Sequence, residues 1–309
     1  MLNLFRPRLS SLLSLLLIGS GSLILAAPAA HAQTTDIIGI RAQGMGGAFT
    51  AVADDATAWW WNPGGLAAGP FLNGLIEFAR PNTSTSESVR GVSVAYPALG
   101  FTYYRLPLRQ IRISASTESS AINRQDDEAA LRVYGATVGQ SIGSHLVVGT
   151  TFKVLHSNDT NVAFDVGVMT SFGPVRAGVT MHDLTEPSFG SGPAVFTLDR
   201  TARLGVALTS GKRAVIGSAT LSFDADLTTT HDPLFGDDRR IALGGEAWTK
   251  GNRAGLRGGV NWNRAADQGA ELSGGLSVAI RSSSFVDAYV VGGDETVRHG
   301  WGLGLRVTF

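Results

Sequence analysis

The 309-residue chain contains no cysteine. That absence excludes disulfides, thiolate nucleophiles and cysteine-based zinc sites. Charge is sparse, at 16% of residues, and 25 basic side chains balance 25 acidic ones. Such a surface offers nothing special to nucleic acid or another polyanion. Histidines are few, and those at His145, His156, His182 and His231 lack ligand spacing such as HExxH. No Ser-His-Asp arrangement has local support, so neither a metal, a cofactor nor a catalytic centre is expected. Beyond residue 32 there is no apolar run long enough for a membrane-spanning helix. Glycine, by contrast, is abundant, with 39 residues against about 7% on average, and it lacks the Gly-X-Y period of collagen.

The first residues read as an address. Arg6 and Arg8 precede "LLSLLLIGSGSLILA", and Ala30-His31-Ala32 forms a small-x-small cleavage site before Gln33. A secretory signal peptide over 1–32 is expected, in preference to a transmembrane anchor. The mature chain then folds outside the cytoplasm.

From residue 71 onward the pattern has period two. In "WGLGLRVTF", Trp301, Leu303, Leu305, Val307 and Phe309 share one face, with Gly302, Gly304, Arg306 and Thr308 on the other. "ELSGGLSVAIR", "RAGLRGGVNWN" and "TARLGVALT" repeat this alternation. It predicts strands with one apolar and one polar face. A soluble sandwich also alternates. A membrane barrel is favoured by segments of about ten residues separated by turns and by a polar face rich in Gly, Ser and Thr. The aromatic ending at Phe309 also resembles the insertion signal of bacterial outer-membrane barrels.

The expected strands are 71–81, 88–96, 99–118, 128–141, 144–156, 161–172, 175–182, 199–209, 214–226, 239–249, 253–263, 270–281, 284–292 and 299–309. Short turns alternate with long loops, chiefly 183–198 and 227–238, which places the barrel's two ends of chain at the short-turn, periplasmic side. The third strand is too long for one span and carries Pro107, which cannot donate to a ladder and belongs at edges or bulges. Either two strands meet there or one strand breaks near Leu106-Pro107-Leu108. Luminal charges are expected at Arg203, Arg257, Arg281, Arg306, Asp165, Asp224, Glu246 and Glu271, mainly in pairs.

A barrel of about fourteen strands is too wide to be filled by its own wall. Residues 33–70 precede the first strand, lack period two and are apolar enough to be buried. They are expected inside the lumen as a plug that starts at the periplasmic mouth. "AFTAVADDATAWWW" predicts a short helix, with Asp54 and Asp55 near a turn, and Asn62-Pro63-Gly64-Gly65 a bend into the barrel. Trp59, Trp60 and Trp61 either pack the plug against the wall or line a path through it. "GIRAQGMGGAF" is glycine-rich, but no βαβ unit surrounds it, so a nucleotide loop is excluded.

The stretch from Arg41 to Ala67 resembles the N-terminal signature of the FadL-type outer-membrane transport superfamily, and is most similar to its PorV-like branch. The remainder matches in architecture. The resemblance implies an all-β fold: a transmembrane antiparallel barrel of about fourteen strands (71–309) around an N-terminal plug (33–70). It implies passive uptake of small hydrophobic compounds, of long-chain fatty acid or hydrocarbon type, with gating by Gly44, Gly46, Gly47, Asp54, Asp55, Asn62, Pro63 and Gly64. The path would follow Phe49, Trp59, Trp60 and Trp61, with sideways exit at a kinked third strand, here Pro107. Partners would be outer-membrane lipid and lipopolysaccharide, the barrel-insertion machinery and the cargo. Gly64 replaces the family's alanine, and the short external loops weigh against fatty acid. The alternative is a PorV-like role in type IX secretion, anchoring or shuttling secreted cargo on exposed apolar loop residues such as Phe189, Phe196 and Leu234. An outer-membrane hydrolase would need a nucleophile and base that the sequence does not offer.

Overall fold

The computed structural model describes residues 30–32, 37–82, 88–107, 130–157, 159–190, 196–211, 216–232, 236–265, 269–293 and 299–309. Fourteen strands form a closed barrel. They are β1 (Asn73–Asn82), β2 (Val89–Tyr96), β3 (Leu99–Pro107), β4 (Ala130–Ile142), β5 (Leu146–His156), β6 (Thr160–Phe172), β7 (Val175–His182), β8 (Thr201–Ser210), β9 (Ile216–Asp226), β10 (Arg240–Thr249), β11 (Ala254–Asn263), β12 (Glu271–Arg281), β13 (Ser284–Gly292) and β14 (His299–Thr308). Each pairs antiparallel with the next in sequence, and β14 closes on β1 from Thr308 opposite Asn73 to His299 opposite Asn82. Closure leaves no free strand edge, which a bilayer requires because it offers no partner for backbone N–H and C=O groups.

The alternation read from the sequence sets the faces. β2 is buried and exposed strictly in turn. The outward set is apolar: Ile76, Val94, Phe101, Val138, Phe164, Leu204, Leu276 and Leu303 are all exposed. The inward set holds the polar groups, including Thr102, Thr151, Lys153, Asp165, Asp224, Glu246, Arg257, Asp287 and Arg306, all buried. A soluble protein turns its apolar faces inward. Here they point outward over the whole wall, as a transmembrane barrel demands.

Strand bounds match the expectation to within a few residues except at β3. That strand ends at Pro107, which sits opposite Ala130 of β4. The expected remainder of the strand lies outside the described residues. The short-turn end carries the start of β1 and the chain's last residue, joined by Leu72 N–H to Phe309 O at 3.3 Å and Phe309 N–H to Leu72 O at 2.9 Å.

The long connections lie at the other end. Ala30–Ala32, read as the end of the leader, pairs in parallel with Phe196–Leu198 there. Residues 33–36, between that pairing and the segment from residue 37, lie outside the described residues; the segment itself leads into β1 at the short-turn end.

Candidate functional site

Residues 37–66 are almost entirely buried and lie within the space enclosed by the strands. Their local structure is broken rather than helical. A single turn, α1 (Ile40–Gly44), is followed by glycines at positive φ, Gly46 at 66° and Gly47 at 80°. Another turn, α2 (Ala58–Trp61), leads into a 3₁₀ helix over Pro63–Ala68. The longer helix expected over residues 48–61 is reduced to its last four positions. Asp224 of the wall accepts the N–H groups of Phe49 and Thr50, at 2.9 and 2.7 Å, as a cap on a single turn closed by Ala53 N–H to Phe49 O at 2.8 Å. Interior donors then leave the helical ladder: Ala56 N–H goes to Asn73 and Thr57 N–H to Asp55, each at 2.9 Å.

The insert docks backbone to backbone on lumen-facing glycines. A Cβ on Gly275 would lie 3.1 Å from the Cα of Gly44, and one on Gly46 would lie 2.9 Å from the backbone nitrogen of Val260. A Cβ on Gly244 or Gly259 would collide with the backbone of Met45. Farther round, Gly149 and Gly167 face Pro63, and a Cβ on Gly178 would lie 2.7 Å from the carbonyl of Thr50. A Cβ on Gly205 would lie 2.8 Å from Thr50 Cβ, and one on Gly302 would lie 2.8 Å from Ile40 Cδ1. The glycine belt thus passes along ten of the fourteen strands (β3–β8, β10–β12 and β14), with Gly100 and Gly139 meeting Leu66 and Ala67.

Polar groups complete the docking. Glu77 accepts from the N–H groups of Gly39 and Ile40, at 3.0 and 3.1 Å. Fully buried Asn62 donates to Thr50 O at 3.0 Å and to Val168 O of β6 at 3.1 Å, and accepts from Gly64 N–H at 3.1 Å. One side chain thereby ties the bend to both the insert and the wall. Asn73 caps Ala56 N–H at 2.9 Å.

A chain of charges rivets the insert to one side of the wall. Arg176 reaches Asp54 at 3.2 Å, Asp54 meets Arg41 at 2.6 Å, and Arg41 reaches Glu246 at 2.8 Å. Glu246 then meets Arg257 at 2.6 Å, while Arg257 and Arg306 flank Asp287 at 3.5 and 2.9 Å. Alternating signs let each buried charge keep a partner. For Asp54, burial pushes the carboxyl upward, but the Arg41 and Arg176 guanidiniums outweigh it and hold the group below its usual value. Burial pulls the other way on Arg41, and Glu246 and Asp54 again win, holding the guanidinium well above its usual value.

The remaining luminal charges expected from the sequence are also partnered. Asp165 meets Lys153 at 2.8 Å, Arg203 meets Asp226 at 2.6 Å, and Glu271 accepts from Asn261 at 3.1 Å. Arg281 is the exception, exposed at the turn end of β12. A register shift between Ala279 and Arg281 breaks the alternation just before it.

The aromatic residues pack. Phe49, Trp59 and Trp61 are at most 2% exposed and Trp60 is 5% exposed. Trp59 lies against Tyr104 of β3 at 5.0 Å, Trp60 stacks on His182 at 5.5 Å, and Trp61 meets Phe49 edge-on at 6.1 Å. Lys153 sits over Trp60 at 5.5 Å and Arg203 over Trp61 at 5.6 Å. In this state they fill the lumen. A cavity of about 270 Å³ lies at the short-turn end, lined by Arg41, Asp54, Arg176, Glu246, Trp248, Phe285 and Arg306 among others. Its lining includes the charge rivet itself. Phe189, expected as exposed loop surface, is buried; Leu234 and the side chain of Phe196 lie outside the described residues. The set Trp301, Leu303, Leu305, Val307 and Phe309 faces outward together. Among the described residues no cluster of His, Asp and Glu is placed to hold a metal ion.

Sequence reasoning singled out the insert's glycines and Asn62 but not the roles of Arg41, Glu77 and Asp287. The signal was present: each is an ionisable group on an inward position or beside the glycine motif.

Residues 131–225, from β4 to β9, match the family model described as "F plasmid transfer operon, TraF, protein". No curated protein matches the chain. Among solved structures, the CymD monoaromatic hydrocarbon channel is similar at TM-score 0.56 and 12% identity, covering 88% of this chain and 97% of its own. The Ralstonia pickettii toluene transporter TbuX is similar at TM-score 0.54 and 12% identity, covering 88% and 98%. The chain shares the fold of these two proteins over nearly their whole length.

Proposed function

We propose that this chain, a fourteen-stranded barrel of FadL-type fold, is an outer-membrane channel for passive uptake of small hydrophobic compounds. The observation that carries the reading is the closed barrel with its lumen filled by an apolar N-terminal segment. The same fold serves a monoaromatic hydrocarbon channel and a toluene transporter. The insert acts as the plug. Its aromatic side chains offer a dry surface to an apolar solute once the packing loosens, and no bond is made or broken. The cavity next to the Arg41–Asp54–Arg176 rivet is the place where a solute leaves the plug toward the short-turn end. A leader over 1–32 delivers the chain to the membrane, and the apolar outer face of β14 completes its insertion.

The test is uptake in an outer-membrane host that lacks its own hydrophobic-compound channel. The chain is expected to admit toluene, and Asn62→Ala combined with Trp60→Ala to change that rate by several-fold. A folded barrel, identified by heat-modifiable gel mobility, that admits neither toluene nor oleate above the host background would overturn the reading.

A further inference from the structure

At the short-turn end, the rim of the barrel carries charge of one sign and in one sector. None of its connections, 69–72, 97–98, 143–145, 173–174, 211–215, 250–253 and 282–283, contains an aspartate or glutamate. Basic residues gather on the turns of β8–β13. Lys250 and Arg253 stand on the turn between β10 and β11, and Arg281 ends β12. All three are exposed. Lys212 and Arg213, between β8 and β9 in sequence, lie outside the described residues. The short turns of the other sector, between β2 and β3, β4 and β5, and β6 and β7, contain no Lys or Arg.

Lys250, Arg253 and Arg281 make no ion pair among the described residues. The acids around the cavity at this end are already taken. Asp54 is held by Arg41 and Arg176, Glu246 by Arg41 and Arg257, and Asp287 by Arg257 and Arg306. The outer face divides in the same way. Phe71, Tyr96, Phe101, Phe172 and Phe309 are exposed close to the short-turn end, on or beside β1–β7 and β14. Aromatic residues of this kind mark the boundary between acyl chains and headgroups. Along β8–β13 the one exposed aromatic side chain among the described residues is Phe223, toward the long-connection end of β9. There the cations stand in its place at the boundary. The register shift at the end of β12 exposes Ile280 and Arg281 together, and Arg253 is three residues from exposed Leu256. At about 3.3 Å per residue, these guanidiniums start within about 10 Å of the acyl-facing wall, in the headgroup layer.

We propose that Lys250, Arg253 and Arg281 bind the headgroups of anionic phospholipids in the leaflet that meets the short turns. The connections are tight and rise little above the strands, so lipid phosphate is the anion beside them. Guanidinium forks match phosphate oxygens in pairs, and the lysine adds a point charge. Net charge sets the selectivity. A rim with cations and no acids attracts a headgroup that keeps a negative charge, such as phosphatidylglycerol, over one whose phosphate is balanced by its own ammonium. The barrel is then anchored by rings in one sector and by cations in the other. The site is independent of what the channel carries.

The test offers the folded barrel in detergent phosphatidylglycerol and phosphatidylcholine with matched acyl chains, and reads bound lipid by native mass spectrometry. Wild type is expected to bind phosphatidylglycerol about tenfold or more tightly than phosphatidylcholine. The combined Lys250→Gln, Arg253→Gln and Arg281→Gln variant is expected to bring the two lipids to within about twofold of each other. Arg200→Gln, on the long-connection side, is expected to keep the wild-type preference. Equal binding of the two lipids by wild type would overturn the proposal. An unchanged preference in the triple variant would also overturn it, and would leave the basic turns to a soluble acidic partner. Displacement of phosphatidylglycerol by inorganic phosphate at matched concentration counts against it too, by identifying a free-anion site. Should the triple variant not fold, Lys250→Gln with Arg253→Gln, both on one turn, is expected to cut the preference about threefold, and an unchanged preference there counts equally against the site.

Discussion

A lumen-facing glycine in this wall is a surface for another backbone. Gly259 illustrates the point, because any Cβ there enters the peptide between Met45 and Gly46. Gly259→Ala is expected to lose about 1–3 kcal/mol through overpacking, read as a lower temperature at which the compact gel form disappears. Its neighbour Gly258 has only Ser273 O, 3.9 Å away, near the place of a Cβ, so Gly258→Ala is expected to be silent. Asp54 gives a pH test. Its carboxyl lies below its usual value in the folded chain, so its contribution is fully present above the unfolded value of about 3.9 and is lost as pH falls through the lowered folded value. Asp54→Asn is therefore expected to be less stable than wild type at neutral pH, with the difference shrinking only as pH falls below about 4 and disappearing beneath the lowered folded value. Denaturation followed at both pH values measures it.

The elements divide by how much of them the sequence discloses. Strands were legible because each obeys a single period with membrane on one side and lumen on the other. "WGLGLRVTF" carries its whole orientation in nine letters. Arg281 misled because a register shift interrupts that period, and a bulge leaves no mark in composition. The insert was legible as a unit, through its missing period and its Asn-Pro-Gly bend, but its path was not. A helix over residues 48–61 failed because side chains claim its interior donors, Asn73 that of Ala56 and Asp55 that of Thr57. Pro107 reads as a broken strand in sequence; it lies opposite Ala130, and the residues after it lie outside the described residues. The insert as an element also makes a prediction. Removing residues 37–68 is expected to convert a barrel closed to ions into one with large steady conductance in planar bilayers. Equal conductance of the two forms would show that the insert does not seal the lumen.

At the scale of the whole molecule, function follows from an inverted distribution of side chains. Apolar groups face out and most polar groups face in, and the aromatic surface inside comes from the insert together with Tyr104, Trp248 and Phe285 of the wall. The cavity of about 270 Å³ beside the charge rivet is smaller than the usual range for drug-sized ligands, about 300–1,000 Å³. Uptake of toluene is accordingly expected to exceed that of oleate by several-fold when both are offered at equal concentration. A preference for oleate would place the path elsewhere.

The glycine belt also bears on how such a channel can change over generations. Wall and insert are cast from one mould: on each of ten strands at least one lumen-facing glycine answers residues 39–67. Exchanging this insert for that of another channel would set foreign backbone against the wrong gaps. Altering the cargo by such a graft would require moving the wall's glycines with it.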